Sequence, residues 1–317
     1  MSLTTEKIPL VSVLLPTYNR SHLVCRAIDS ALNQTYPRIE IIVVDDGSTD
    51  ATREVLTKYG DRIRYHHQQN AGLSTSRNTA IKHSRGDFLA LLDDDDEWRP
   101  SKIQKQVERF LSNPELGFTY TRGVRLRPDG STEDAITANK LPKNDLVSLF
   151  RYQNTIPASS VMIRHSVLEK TGVFNSKLLS IEDYDLWLRI AAGAPFDCIE
   201  EDLTILHVGH PRLTSNHLRM FTTLVEVIKS NGENNAILKP YLNGRLAWIY
   251  LFYGRTFLQL EDVELARTNL RMAIRYRFWD LKPYFFYLLS FLGKHNRTAL
   301  RKLKNNPGTT TLINPGN

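Results

Sequence analysis

Asp93, Asp94, Asp95 and Asp96 stand in a row, directly after the apolar residues Leu91 and Leu92. Adjacent carboxylates repel one another and hold one another's protons unless positive charge sits among them. A hard divalent cation supplies that charge: Mg²⁺ or Mn²⁺ takes oxygen ligands and commonly bridges to substrate phosphates. Side chains alternate along extended chain, so Asp93 and Asp95 are expected to share one face. A solvated acidic turn would use the same residues without binding anything. Two more acidic centres lie far off in sequence, Asp45-Asp46 and Glu182-Asp183. The second opens a helical pattern, where acids complement the helix dipole but can also take up a proton.

The surrounding elements give these acids a place. Residues 88–92 read as a short buried parallel strand entered through Gly86-Asp87. Pro100 and Ser101 then open a helix with Ile103, Val107, Phe110 and Leu111 at helical spacing. Residues 11–15 form strand one, broken by Pro16, and Ser21 is placed to cap the next helix. Residues 39–44 form strand two and also stop at acids, Asp45-Asp46-Gly47-Ser48-Thr49-Asp50, with Asp50 read as a helix cap; residues 63–66 form strand three. Asn70-Ala71-Gly72-Leu73 leads into a helix that stops at Gly86. Strand and helix thus alternate four times, which predicts an α/β fold with a mainly parallel sheet flanked by helices. Right-handed crossovers line up the strand ends at 16–20, 45–50 and 93–96 along one edge, where open α/β sheets bind ligands.

Beyond residue 116 the pattern changes to strands at 118–121, 124–126, 159–163, 196–199 and 204–207, with a helix starting at Glu182 and ending at Gly193. From Arg219 the chain reads as helical, and 305–317 as a disordered tail. The expected division is 1–218 (halves 1–115 and 116–218), a helical extension 219–304, and the tail 305–317. The first 218 residues hold 26 Lys and Arg against 28 Asp and Glu; the remainder holds 15 against 6. The basic character therefore belongs to the C-terminal helices, which suits an anionic membrane surface or a solvated helix face. No stretch reaches the roughly 18 apolar residues of a membrane span, and the first nine residues carry no signal-peptide core. The expected location is cytoplasmic, in part at the inner face of the membrane, with Cys25 and Cys198 as free thiols. A dinucleotide dehydrogenase is disfavoured because no Gly-x-Gly-x-x-Gly follows a strand. A sugar-nucleotide pyrophosphorylase would need a glycine-rich basic loop where Pro16-Thr17-Tyr18-Asn19-Arg20 stands. No nucleic-acid partner is expected.

Taken together, Pro16-Thr17-Tyr18-Asn19-Arg20, Asp45-Asp46-Gly47-Ser48-Thr49-Asp50, Asn70-Ala71-Gly72-Leu73, Asp93-Asp94-Asp95-Asp96 and Glu182-Asp183 resemble, in order and spacing, the inverting family 2 glycosyltransferases. The resemblance covers about residues 8–218. It implies a GT-A-type (Rossmann-like) fold, a nucleotide-sugar donor and a Mn²⁺ or Mg²⁺ cofactor. It implies nucleotide contacts from Pro16, Thr17, Tyr18, Asp46, Arg77 and Asp94, metal ligation by Asp93, Asp95 and His210 (favoured over His207), and Asp183 as general base. The Gln-x-x-Arg-Trp motif and the membrane spans of processive synthases are both missing, so the expected reaction is transfer of a single sugar, UDP-sugar favoured, to a glycan or lipid-linked hydroxyl. The alternative is a catalytically inactive nucleotide-sugar-binding homologue acting through its C-terminal helices.

Overall fold

A computed structural model describes residues 8–135, 145–151, 154–209 and 216–292. The chain divides into two compact units, Met1–Leu238 and Lys239–Asn317.

The first unit is built on a mixed, mostly parallel sheet. Its opening elements are β1 (Val11–Thr17), α1 (Val24–Leu32), β2 (Ile39–Asp45), α2 (Thr52–Leu56), β3 (Arg64–His67), α3 (Leu73–His83) and β4 (Phe88–Leu91). These four strands lie parallel in the order β3-β2-β1-β4. Every residue of β1 is buried, as a central strand covered on both faces requires. Val11, Val13 and Leu15, two residues apart, pack into one cluster with Val24, Ala27 and Ile28 of α1. On β1 and β2 the sheet also carries α3.

The unit continues with β5 (Asp96–Trp98), α4 (Lys102–Ser112), β6 (Phe118–Leu126), β7 (Thr132–Asp134), α5 (Leu146–Arg151), β8 (Val161–Arg164), α6 (Leu168–Thr171), α7 (Glu182–Ala191), β9 (Phe196–His207) and α8 (His217–Asn234). The sheet runs on from β4 through β8, β6 and β9 to β5, with β7 beside β6. In this half β8 is antiparallel to β4 and β6, whereas β9 is parallel to β6.

Several boundaries differ from the sequence reading. Pro16 does not end strand one: it pairs with Val44 and the strand runs to Thr17. Leu92 N–H bonds the Leu14 carbonyl and Asp46 N–H bonds the Thr17 carbonyl, so Pro16 points its missing donor toward β4, past the last residue of that strand. Ser21 does not cap α1, whose N-cap is Leu23; its backbone N–H bonds Asp50. The pairs of short strands expected at 118–126 and 196–207 are two continuous strands, paired across two register shifts, one on each side of Arg122. A Cβ at Gly123 would lie 2.5 Å from the Thr204 carbonyl oxygen, so the close approach needs glycine. β9 tolerates its acids because Glu200 and Glu201 face solvent. The strand expected over 159–163 begins as a 3₁₀ turn at Ala158–Ser160, and β8 follows it.

Beneath α4 lies a fully buried lysine. Lys102 Nζ donates to Gln106 Oε1 at 2.7 Å and sits 4.2 Å from the centre of the Trp98 ring. Gln106 in turn donates to Thr119 Oγ1 and the Ser160 carbonyl. Burial pushes the Lys102 amine well below the usual lysine range.

α8 belongs to the first unit, packing on α7, with Asn231 Nδ2 3.2 Å from Asp185 Oδ1. The compact unit thus continues beyond residue 218, the boundary drawn from the sequence. The second unit contains α9 (Leu242–Gln259), α10 (Val263–Tyr276) and α11 (Leu281–Leu289). Gly254 on α9 lets Leu270 of α10 come so close that a Cβ would meet its Cγ at 2.8 Å. Asp262 and Asp280 cap α10 and α11 through the backbone N–H groups of Leu265 and Lys282. Among the described residues no helix is long and apolar enough to cross a membrane. The tail at 305–317 lies outside the described residues.

Candidate active site

Three strand ends meet at the carboxyl edge of β1, β2 and β4. Thr17 Oγ1 donates to Asp94 Oδ2 at 2.7 Å, and Asp46 N–H donates to the Thr17 carbonyl at 2.9 Å. Asn19, at a left-handed φ of 51°, accepts from Thr49 N–H through Oδ1 while its own N–H bonds Ser48 Oγ. Pro16 and Thr17 are buried, and the Tyr18 ring is 46% exposed beside them. Asp50 bonds both Thr52 N–H and Ser21 N–H, so it joins the second strand end to the first.

Asp46 is the hub of the loop that leads into α3. Its Oδ1 accepts from Gln68 Nε2 and Ala71 N–H, its Oδ2 from Gly72 N–H, all between 2.7 and 3.0 Å. A carboxylate offers about four acceptor positions, so a base N–H can add one more bond. Gly47, with φ +81°, leaves this loop its space: a Cβ would stand 2.9 Å from Asn70 N.

The four aspartates do not act as one run. They form a turn closed by Asp96 N–H on the Asp93 carbonyl at 3.1 Å, so the alternation expected of extended chain loses its basis. Asp93 Oδ1 accepts from Arg77 Nη2 at 2.7 Å. Asp95 Oδ2 lies 3.4 Å from Arg20 Nη1, and the Asp95 carbonyl accepts from Arg26 Nη2. Asp96 turns inward, starts β5 and accepts from Ser159 Oγ. Burial, with the neighbouring charges of Asp95 and Asp93 and against the Thr17 hydrogen bond, pushes the Asp94 carboxyl up to about 7.

That crowding bears on a metal. Among the described residues no three His, Cys, Asp or Glu side chains form a cluster able to hold an ion. Two carboxylates shared with substrate phosphates are, however, a normal Mg²⁺ site. Asp93 and Asp95 are hard oxygen donors beside a third carboxyl, Asp94, whose pKa is raised by burial and then by the charges of these two neighbours. The donor set therefore fits a hard divalent cation held jointly with a diphosphate. His210 lies outside the described residues; His207 Nε2 lies 3.5 Å from Glu97 Oε1.

Arg77 joins the aspartate turn to the start of α7. It is 2% exposed, with Nη2 on Asp93 and Nη1 2.8 Å from Glu182 Oε1. Burial pulls its pKa down, but the Asp93 and Glu182 charges more than offset this and raise it. Arg77 was expected at the donor phosphates; its guanidinium is bonded to these two acids. Next to Glu182 stands Asp183, whose Oδ1 accepts from Asn154 Nδ2 at 3.1 Å and from Tyr184 N–H at 2.6 Å. Burial, then the Glu182 charge, pushes the Asp183 carboxyl up to about 7 against the pull of Arg77. Ile181, just before these acids, has φ +63°. For a β-branched residue this is a strained, left-handed conformation, and such strain clusters at functional sites.

The sequence reading missed four of these contacts. Arg20 stands inside a quoted motif but received no role, and Arg26 reads only as a polar position of α1. Glu182 reads as helix decoration until its partner Arg77 appears 105 positions away. Nothing in the sequence marks Asn154. A surface depression of about 520 Å³, lined by Asp87, Arg164, His165 and Glu169, lies at the opposite end of β4 from the aspartates. There the Arg164 guanidinium is occupied by the carbonyls of Leu116 and Phe110.

Comparison with known proteins bears on the same region. The model of the family described as Glycosyl transferase family 2 matches residues 12–172. An uncharacterized glycosyltransferase of Rickettsia felis is 39% identical over 59% of this chain, which spans about a third (32%) of that relative's length. Among solved structures, S. aureus TarS 1-349 in complex with UDP-GlcNAc aligns with a TM-score of 0.64 at 17% identity, over 92% of each chain. The mannosyltransferase PcManGT from Pyrobaculum calidifontis, in complex with GDP-Man and Mn²⁺, aligns with a TM-score of 0.56 at 18% identity, over 95% of this chain and 89% of that one. At these identities the likeness concerns the fold, a GT-A-like sheet with a C-terminal helical region.

Proposed function

The chain belongs to glycosyl transferase family 2, and from that premise we propose that it is a nonprocessive, inverting transferase. It moves one sugar from a nucleotide diphosphate, UDP favoured, to a hydroxyl of a glycan or lipid-linked acceptor. The observation that carries this reading is the Arg77 bridge: one buried guanidinium ties Asp93 of the aspartate turn to the helix start that bears Asp183. A raised carboxyl and a carboxylate cluster so joined are what acid–base chemistry beside a diphosphate needs. The UDP-GlcNAc and the GDP-Man with Mn²⁺ in the two related structures support a nucleotide-sugar donor and a divalent ion.

In this mechanism Tyr18 stacks on the base, while Asp46 and Asp94 accept from base and ribose. Asp93 and Asp95, with His210, would hold Mg²⁺ or Mn²⁺, which when bound neutralises the charge growing on the departing diphosphate. The Asp183 carboxylate takes the proton of the acceptor hydroxyl as its oxygen bonds the anomeric carbon. The bond from that carbon to the phosphate oxygen breaks on the opposite side, so the configuration inverts. The basic C-terminal helices bring the enzyme to an anionic membrane surface.

Calorimetric titration with UDP, GDP, dTDP and CDP, each with and without Mn²⁺, tests the donor half. One nucleotide is expected to bind tightly only with metal, and Asp95→Ala to weaken it at least tenfold, the discrimination of a lost charged contact. Binding that ignores both metal and Asp95 would refute the assignment. Failure of every nucleotide would leave the second reading, an inactive homologue working through its C-terminal helices.

A further inference from the structure

α11 has the sequence Leu-Lys-Pro-Tyr-Phe-Phe-Tyr-Leu-Leu, apolar or aromatic at every position but Lys282. A helix of that kind ordinarily lies in a core or in lipid. One side does pack: α11 contacts α10, and Pro283 and Leu289 are buried. The other side is solvent-exposed at several positions. Leu281, Phe285 and Leu288 recur at helical spacing and are 79, 47 and 68% exposed. Phe278 and Trp279, in the turn before the helix, and Phe291, after it, extend this face. An exposed apolar strip of this extent marks a docking surface.

What surrounds the strip identifies its occupant. Arg277, Lys282 and Arg267 lie along it; the Arg267 guanidinium is 3.9 Å from the centre of Phe291 on the strip, and that of Arg255 is 4.8 Å from the half-buried Phe286 ring of the same helix. The acid in the segment, Asp280, is engaged as the α11 cap. From residue 239 onward the chain holds 13 Lys and Arg against 4 Asp and Glu. A second copy seated on this face would bring two such positive units together. Residues 293–317 contain five Lys and Arg and no acid, so they cannot supply the missing charge either. Trp, Phe and Leu ringed by Arg and Lys suit the boundary between anionic headgroups and acyl chains.

We propose that α11 and the Phe278-Trp279 turn form the surface by which this protein seats on an anionic lipid bilayer, with the apolar strip in the acyl boundary and the arginines at the phosphates. This rests on the membrane reading of the C-terminal helices and assigns it to one face. The test is flotation of the full chain with vesicles of pure phosphatidylcholine, and of phosphatidylcholine with about one third phosphatidylglycerol, a composition chosen to give the surface charge that basic segments sense. The wild type is expected to float with the anionic vesicles, and much less in 0.5 M salt, where the Debye length is about 4 Å. Leu281→Glu/Leu288→Glu should lower the partition at least about tenfold, since two desolvated leucines become two repelled charges. Unchanged nucleotide binding and melting temperature would show that the variant folds. Wild-type flotation that the variant retains would overturn the assignment to this face while leaving the membrane reading standing. No flotation of the wild type would overturn both. A self-association in sedimentation that the variant abolishes, without flotation, would make the occupant a second copy instead.

Discussion

At the scale of single residues the site depends on protons held against ordinary preference. Asp183, pushed up to about 7, must lose its proton before it can accept one. Transfer should therefore fall about tenfold per pH unit below pH 7 and level off above it, measured as kcat/KM across pH 5–9. Asp183→Asn should bind nucleotide as the wild type does and lose transfer by at least about a hundredfold, the low end of general-base contributions; full turnover would reject the base assignment. The same raised value has a second consequence. The folded chain holds this proton more tightly than the unfolded chain, so between about pH 4 and pH 7 stability falls as pH rises through the two pKa values. Asp183→Asn should accordingly melt higher than wild type at pH 8, with the gain gone near pH 4. Strain at Ile181 and a disfavoured carboxylate at Asp183 are both costs in stability located where chemistry is expected.

At the scale of elements, Arg77 fastens α3, the turn after β4 and the start of α7 to one another. Arg77→Ala leaves Asp93 and Glu182 facing each other without a cation and should cost about 3 kcal/mol in urea unfolding. Arg77→Lys should not restore it, because one ammonium cannot reproduce two guanidinium contacts. Gly47→Ala combines a positive φ with a clash at Asn70 N; a loss of about 2 kcal/mol is expected, together with weaker nucleotide binding as the loop around Asp46 shifts. The contrast between Gly47 and Arg77 shows what the sequence could reveal. Hydrophobic runs, turn glycines and strand-end acids are local signals, so the succession of β1 to β4 along the chain and the alignment of the ends of β1, β2 and β4 along one edge were legible. The bridge from Arg77 to Glu182, the support of Asp183 by Asn154 and the inward turn of Asp96 depend on pairings across many residues, and no local period encodes them. Pro16 misled for a related reason: whether a proline ends a strand depends on what lies on its donor side, which only the register of β1 with β4 decides.

At the scale of the molecule, the two units divide the labour by charge and by surface. The first carries the sheet and all the acids of the site; the second carries the excess of arginine and the open face of α11. Residues 1–238 produced alone should fold and bind nucleotide within about threefold of the full chain, a difference of under 1 kcal/mol, while losing flotation on anionic vesicles. A tenfold loss of nucleotide affinity would show that the second unit supports the site. The buried amine of Lys102 carries a separate implication. Enclosed by Gln106 and Trp98, it can meet an acylating reagent only when α4 lifts from the sheet. Its rate of modification, read beside those of solvent-facing lysines such as Lys82, is therefore a clock for the lifting of α4, and a bound donor that tightens the sheet beneath it would slow it.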